Sequence, residues 1–251
     1  MKLNISYTIA VLCIYVVKTK ELLRYKTMKI LTQNITSFLA REEKSLNDFC
    51  AEYAIANINE LTLRDLQLFC SNNQLDFENM LTRPMFVDRS KMKDIKLLIL
   101  DVDGVMTDAG MFFTENGDQF KKYNAKDGMA IMALPKVGVE AGIISSGYKL
   151  EVVKARAELL NIKHLYVGQE PKLEILNQWC EKLNITLAEV AIIGDDINDL
   201  PVMRAVGFSA CPADAVLKVK ETVDLVLQTK GGDGCVREFI DFYLLDEPLT
   251  K

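Results

Sequence analysis

The sequence predicts an α/β protein: a doubly wound parallel sheet with a β-hairpin flap, preceded by a small helical region. Three observations predict it. From Lys96 onward, short apolar runs recur, and several end in Asp, Ser or Gly. Helix-period patterns separate those runs. One stretch around Asn116-Gly117 interrupts the alternation with two strand-like arms. Apolar strands alternating with amphipathic helices form right-handed βαβ units, and such units build a parallel sheet. A length of 251 residues suits one large domain or two modest ones. The pattern divides it into residues 1–27, 28–92 and 93–251.

Residues 3–17 form a mostly apolar run without charge, followed by Lys18, Lys20, Arg24 and Lys26. A membrane-spanning helix needs about 20 apolar residues, so the run is short, and no small-x-small cleavage pattern follows it. Three readings stand: a signal anchor, a buried element, or an upstream stretch absent from the natural product, with Met28 as its start. The last is favoured, and membrane association is not expected.

Residues 28–90 read as helical. Phe38, Leu39, Leu46, Phe49, Cys50 and Tyr53 recur at the spacing of one helical face. Thr62 suits a helix N-cap, and Leu63, Leu66, Leu68 and Phe69 continue an apolar stripe. Arg83-Pro84 ends the pattern, because proline disfavours helix in the residue before it. No catalytic motif stands here, and a docking or oligomerisation module is the plain reading.

The strands are expected at 97–100, 139–144, 164–167, 190–193, 208–210 and 225–227, and helices at 149–160, 172–183 and 199–206. The arms 110–114 and 119–123 flank Asn116-Gly117, a strong hairpin signal. Ligands of doubly wound sheets bind beyond the carboxyl ends of the strands. Asp101, Ser146 and Asp195 all stand at such ends.

Composition narrows the chemistry. Thirty Lys and Arg against 35 Asp and Glu give a net charge of −5, which argues against nucleic acid as a partner. The single histidine, His164, rules out a histidine zinc cluster and reads as structural. Six cysteines without a Cys-x-x-Cys pair read as reduced thiols of a cytoplasmic protein.

What remains is a set of carboxylates. In Asp101-Val102-Asp103-Gly104, two carboxylates leave one strand end, and Gly104 permits the turn that lets both face one site. The first can attack an electrophile while the second moves a proton. Asp195, Asp196 and Asp199 follow another strand. So many carboxylates in one crevice repel one another and raise each other's pKa. A hard cation relieves this, and Mg2+ fits best. Ser146 and Lys172 offer a hydroxyl and a compact charge for phosphate oxygens. The reaction these parts suit is phosphoryl transfer through an aspartyl-phosphate. The plainer reading of Asp196 and Asp199 is that they cap the following helix. Trp179, Leu176 and Leu183 read as core, Met129 and Met132 as packing beneath the hairpin, and Thr186-x-x-Glu189 as a capping box.

With Asp101-x-Asp103, Ser146, Lys172 and Gly194-Asp195-Asp196-x-x-Asp199 in this order, residues 93–245 resemble the haloacid dehalogenase superfamily of phosphohydrolases. Asn124-Ala125-Lys126-Asp127-Gly128 and Gly231-Gly232-x-Gly234 make the likeness closest to its capless branch, the 3-deoxy-D-manno-octulosonate 8-phosphate phosphatases. The resemblance implies Asp101 as nucleophile and Asp103 as acid/base. It implies Mg2+ on Asp101, the Asp103 backbone carbonyl and Asp195, with Asp196 and Asp199 orienting that shell and Lys172. Ser146, Gly147 and Lys172 would hold the phosphate. It implies a sugar-acid phosphate, octulosonate 8-phosphate or a related nonulosonate 9-phosphate, as the small-molecule substrate, and a homotetramer as the assembly. Two positions depart from the family: Tyr148 and Asp233 stand where it usually has basic residues. Lys126, Lys149 or Arg237 would have to compensate. A phosphatase of another sugar phosphate and a non-catalytic oligomerising domain are the alternatives.

Overall fold

The computed structural model describes residues 27–86, 90–147 and 149–245. The expectations on residues 1–26 and on Tyr148 lie outside these. The chain forms two units, Met1–Val87 and Asp88–Lys251. The sequence pattern places the boundary at 92/93. The short turn Ser90–Met92 instead belongs to the second unit, where Met92 is buried.

Polar caps start the helices of the first unit. After α1 (27–41), Ser45 caps α2 (Leu46–Glu52), Thr62 caps α3 (Leu63–Asn72) and Asp76 caps α4 (Phe77–Thr82). Each cap side chain accepts the N–H three residues on, and Asp65 returns the bond to Thr62. Leu31, Ile35, Phe49, Leu66, Phe69 and Met80 form the core, with the Phe69 ring edge-on to Phe38 and Phe49. Buried Asn34 donates to the Met80 and Arg83 carbonyls and accepts from the Met85 N–H. The α3 stripe is narrower than the sequence suggested. Leu66, Phe69 and Cys70 are buried, while Leu63 is 66% and Leu68 54% exposed. Leu68 stands about 200° around the helix from Leu66, and Leu63 lies in the first turn.

The second unit is a six-stranded sheet built from β1 (Leu97–Leu100), β4 (Glu140–Ser145), β5 (His164–Val167), β6 (Val190–Ile193), β7 (Phe208–Cys211) and β8 (Leu225–Val226). Their order is β5-β4-β1-β6-β7-β8, with every pair parallel. The chain leaves β1 toward β4 and β5, then returns to the other side of β1 for β6. The crevice where direction switches therefore lies between β1 and β6. Leu100 pairs with Ile193, so the two strands end level. Every residue of β1 and β6 is buried, as near-continuous apolar runs in a sheet covered on both faces should be.

The connecting helices are α5 (Ala125–Ala133), α6 (Leu150–Leu159), α7 (Lys172–Leu183), α8 (Leu200–Met203), α9 (Leu217–Lys220) and α10 (Cys235–Phe239). The helix expected over 199–206 is shorter: a single turn, Ile197–Asp199, precedes α8, and Pro201 occupies the N-terminal turn of α8. Leu176 is buried on α7, and Trp179 and Leu183 pack partly buried against the same core. Thr186 and Glu189 form the capping box. His164 pairs with Glu140 at 2.7 Å. The hairpin consists of β2 (Phe112–Phe113) and β3 (Gln119–Phe120), antiparallel. Gly117 takes φ +78° after a turn closed by its N–H to the Thr114 carbonyl. Asn116-Gly117 thus serves a three-residue loop with a left-handed glycine, not a two-residue turn. Met129 and Met132 do not lie beneath the hairpin but are exposed on α5. Among the described residues, no helix is long and apolar enough to cross a membrane.

Candidate active site

Asp101 stands one residue beyond β1 and extends the strand by donating its N–H to the Ile193 carbonyl. The chain then turns at Gly104, φ +91°. A Cβ there would lie 2.1 Å from Asp195 Oδ2, so glycine is required both for the backbone and for the close approach. The turn is backed by a second glycine loop. A Cβ on Gly231 would lie 1.9 Å from the Gly104 carbonyl oxygen, and the Gly232 N–H bonds the Val105 carbonyl.

A buried ion triad sits under the crevice. Lys172 Nζ, at the first turn of α7, donates to Asp101 Oδ1 at 2.8 Å and to Asp199 Oδ1 at 2.6 Å. All three residues are buried. Burial alone would depress the lysine, but the two carboxylates outweigh it and raise its pKa. Asp199 Oδ2 accepts the N–H groups of Asp195 and Asp196. Asp199 therefore does more than cap a helix, while Asp196 does cap, accepting the Ile197 N–H.

Carboxylate oxygens of Asp101, Asp195 and Asp199 lie within 4.8 Å of one another. Both Asp199 oxygens already carry donors. Asp195 Oδ1 is buried and has no hydrogen-bond partner. Burial, then the Asp101, Asp199 and Asp196 charges, push Asp195 up to about 8. Burial and Asp199 push Asp101 up to about 6 against the pull of Lys172. An orphaned oxygen among crowded carboxylates, with only oxygen donors at hand, fits a hard divalent cation.

Above the triad is a cleft of about 270 Å3, lined by Asp101, Asp103, Asp195 and Asp196 on one side and by Ser146, Gly147, Lys149 and Asn198 on another. Ser146 follows β4. Its Oγ accepts from Asn198 Nδ2, and its carbonyl accepts from Gln169 Nε2. Gly147 donates its N–H to Ser145 Oγ.

The hairpin supplies the third side, and here sequence reasoning missed a residue. Lys121 forms an ion pair with Asp103, whose carboxylate also accepts from Thr107 Oγ1. Gln119 and Lys121 both line the cleft. Their two-residue spacing on a strand-like arm puts them on one face, and that alternation was the available signal. Lys126, expected among the residues that bind the substrate, does not line the cleft. Asn124 caps α5 through the Lys126 N–H, which leaves Lys126 on an exposed first turn. Arg237 pairs with Asp241, and Asp233 is exposed.

A model of haloacid dehalogenase-like hydrolases matches residues 143–239. The 3-deoxy-D-manno-octulosonate 8-phosphate phosphatase of Escherichia coli is 42% identical over 156 residues, covering 62% of this chain and 82% of that protein. The crystal structure of the same phosphatase from Yersinia pestis superposes with a TM-score of 0.59 at 38% identity, covering 61% of this chain and 83% of that one. The Moraxella catarrhalis phosphatase, solved with a magnesium ion, a phosphate ion and a KDO molecule, superposes with a TM-score of 0.60 at 33% identity, covering 62% and 89%. The chain belongs to the haloacid dehalogenase-like hydrolases, within the family of the 3-deoxy-D-manno-octulosonate 8-phosphate phosphatases, and is a phosphoric monoester hydrolase.

Proposed function

We propose that this chain hydrolyses 3-deoxy-D-manno-octulosonate 8-phosphate, or a related nonulosonate 9-phosphate, through an aspartyl-phosphate on Asp101. One observation carries the reading: a buried carboxylate at the β1–β6 switch point, gripped by Lys172 beside the orphaned Asp195 oxygen. Lys172 holds Asp101 Oδ1 and leaves Oδ2 to attack phosphorus. Asp103, protonated, gives its proton to the departing sugar oxygen as the P–O bond breaks. It then takes a proton from the water that attacks the aspartyl-phosphate and releases inorganic phosphate. Ser146 Oγ, the Gly147 region and the third N–H of Lys172 hold the phosphate oxygens. Asp101, the Asp103 carbonyl and Asp195, supported by Asp196 and Asp199, would hold Mg2+, which would supply positive charge to offset carboxylate–phosphate repulsion.

A cleft of about 270 Å3 suits one small phosphorylated molecule. The exposed hairpin side chains Met111, Phe112, Phe113 and Phe120 support assembly with further copies of the chain, which we read as a homotetramer. The free thiols of Cys50, Cys70, Cys180, Cys211 and Cys235 support a cytoplasmic enzyme.

The test is phosphate release with Mg2+ from a panel of sugar-acid and neutral sugar phosphates, beside Asp101→Asn. Preferential release from sugar-acid phosphates, abolished in the variant, is expected. Equal release from neutral sugar phosphates overturns the substrate assignment, and release that survives Asp101→Asn overturns the mechanism.

A further inference from the structure

A sugar-acid phosphate carries two anionic groups, and the triad and Ser146 account for only the phosphate. The second anion, the carboxylate, needs a cation that is not already neutralised. Among the described residues, the cations lining the cleft are Lys121 and Lys149. Lys172 faces two aspartates beneath the cleft. Lys121 also lines the cleft, but it lies against Asp103, the acid/base, so it faces the P–O bond that breaks rather than the carboxylate at the far end of the sugar. Lys122 pairs with Asp108 and Arg237 with Asp241, and Lys126 lies outside the cleft. Lys149 lines the cleft at the residue before α6 and donates to the Gly117 carbonyl at the hairpin turn. Its described partner is a neutral carbonyl, not a carboxylate. A lysine ammonium has three donors, so Lys149 can keep the hairpin turn and still receive an anion.

We propose that Lys149 is the specificity-determining residue that binds the substrate's carboxylate. The proposal rests on the sugar-acid reading above. It ties selection of the acid to the flap, because the ammonium that meets the carboxylate also holds the hairpin turn over the cleft.

The test compares the full chain with Lys149→Met and Lys149→Gln. The measurement is kcat/KM on octulosonate 8-phosphate and on ribose 5-phosphate, which has no carboxylate. The wild type is expected to prefer the acid. Both variants should lose that preference by about 10- to 100-fold, the range of a lost charged hydrogen bond, chiefly through KM. Glutamine keeps a donor for the Gly117 carbonyl without the charge, so it separates latch from anion site. A wild type that prefers the acid beside variants that prefer it equally overturns the role of Lys149 alone. Equal loss on both substrates, or a preference restored by glutamine, overturns that role as well. A wild type with no preference overturns the sugar-acid reading and this inference with it.

Discussion

Asp127 allows a sharp test of the electrostatics of the sheet unit. It is buried in the first turn of α5, and its Oδ1 accepts the Arg237 N–H at 2.7 Å. Oδ2 is buried without a hydrogen-bond partner. Burial pushes the carboxyl from 3.8 up to about 6, against the pull of the Arg237 N–H and of the Arg156 and Arg237 charges. Between those two pH values the native chain holds more protons than the unfolded chain. The stabilisation by this proton is complete below 3.8 and is lost as pH rises through 6. A gap of about two units is worth about 3 kcal/mol across the whole window, of which about 1–1.5 kcal/mol is still lost between pH 5 and pH 8. Asp127→Asn removes the titration. The cost of burying its amide does not depend on pH, so it cancels when the two pH values are compared. Urea unfolding followed by Trp179 fluorescence is the assay, since Trp179 is the chain's one tryptophan and packs on the core of this unit. The stability difference, variant minus wild type, should move in the variant's favour by about 1–1.5 kcal/mol from pH 5 to pH 8. A flat difference, or one moving the other way, refutes the reasoning.

Gly104→Ala should cut kcat about 100-fold or more, because the new Cβ displaces Asp195 by the order of an ångström; near-native turnover would show that the turn can yield. Lys172→Met leaves Asp101 and Asp199 buried without a cation and should destabilise the sheet unit by about 3–5 kcal/mol, read as a lowered urea midpoint. Saturating Mg2+ at about 100 times its Kd should raise stability by about 2.7 kcal/mol. Asp195→Asn should abolish that gain, and chelation should reverse it in the wild type.

The sheet was legible because β1 and β6 are buried on both faces and so read as unbroken apolar runs. Asp101 and Asp195 were legible because a carboxylate at the end of such a run stands at the ligand-binding edge. The level ending of the two strands, which brings these carboxylates together, is a property of strand order, and no local pattern encodes that order. The spacing of Asp199 from Asp196 suits a cap as well as a support for Lys172; its depth under the crevice, bonded to Lys172, decides for the support. Lys126 and Lys121 mark the limit. Both follow the hairpin turn, but a capped helix turns one outward, while the other, one residue beyond β3, turns inward. The hairpin's strands are two residues long, too short to display their alternation strongly.

That hairpin also makes the cleft responsive to its solvent. Two residue pairs make too little ladder to be stable alone, and the Phe112 and Phe120 rings stack on each other at 5.2 Å while remaining largely exposed. Its ties to the rest of the unit include three lysine contacts: Lys121 to Asp103, Lys122 to Asp108 and Lys149 to the Gly117 carbonyl. The Lys122 pair is exposed and lies within reach of screening ions, whereas Lys121 is sheltered. The flap is therefore a charge-held object, and rising ionic strength loosens its outer tie before its inner one.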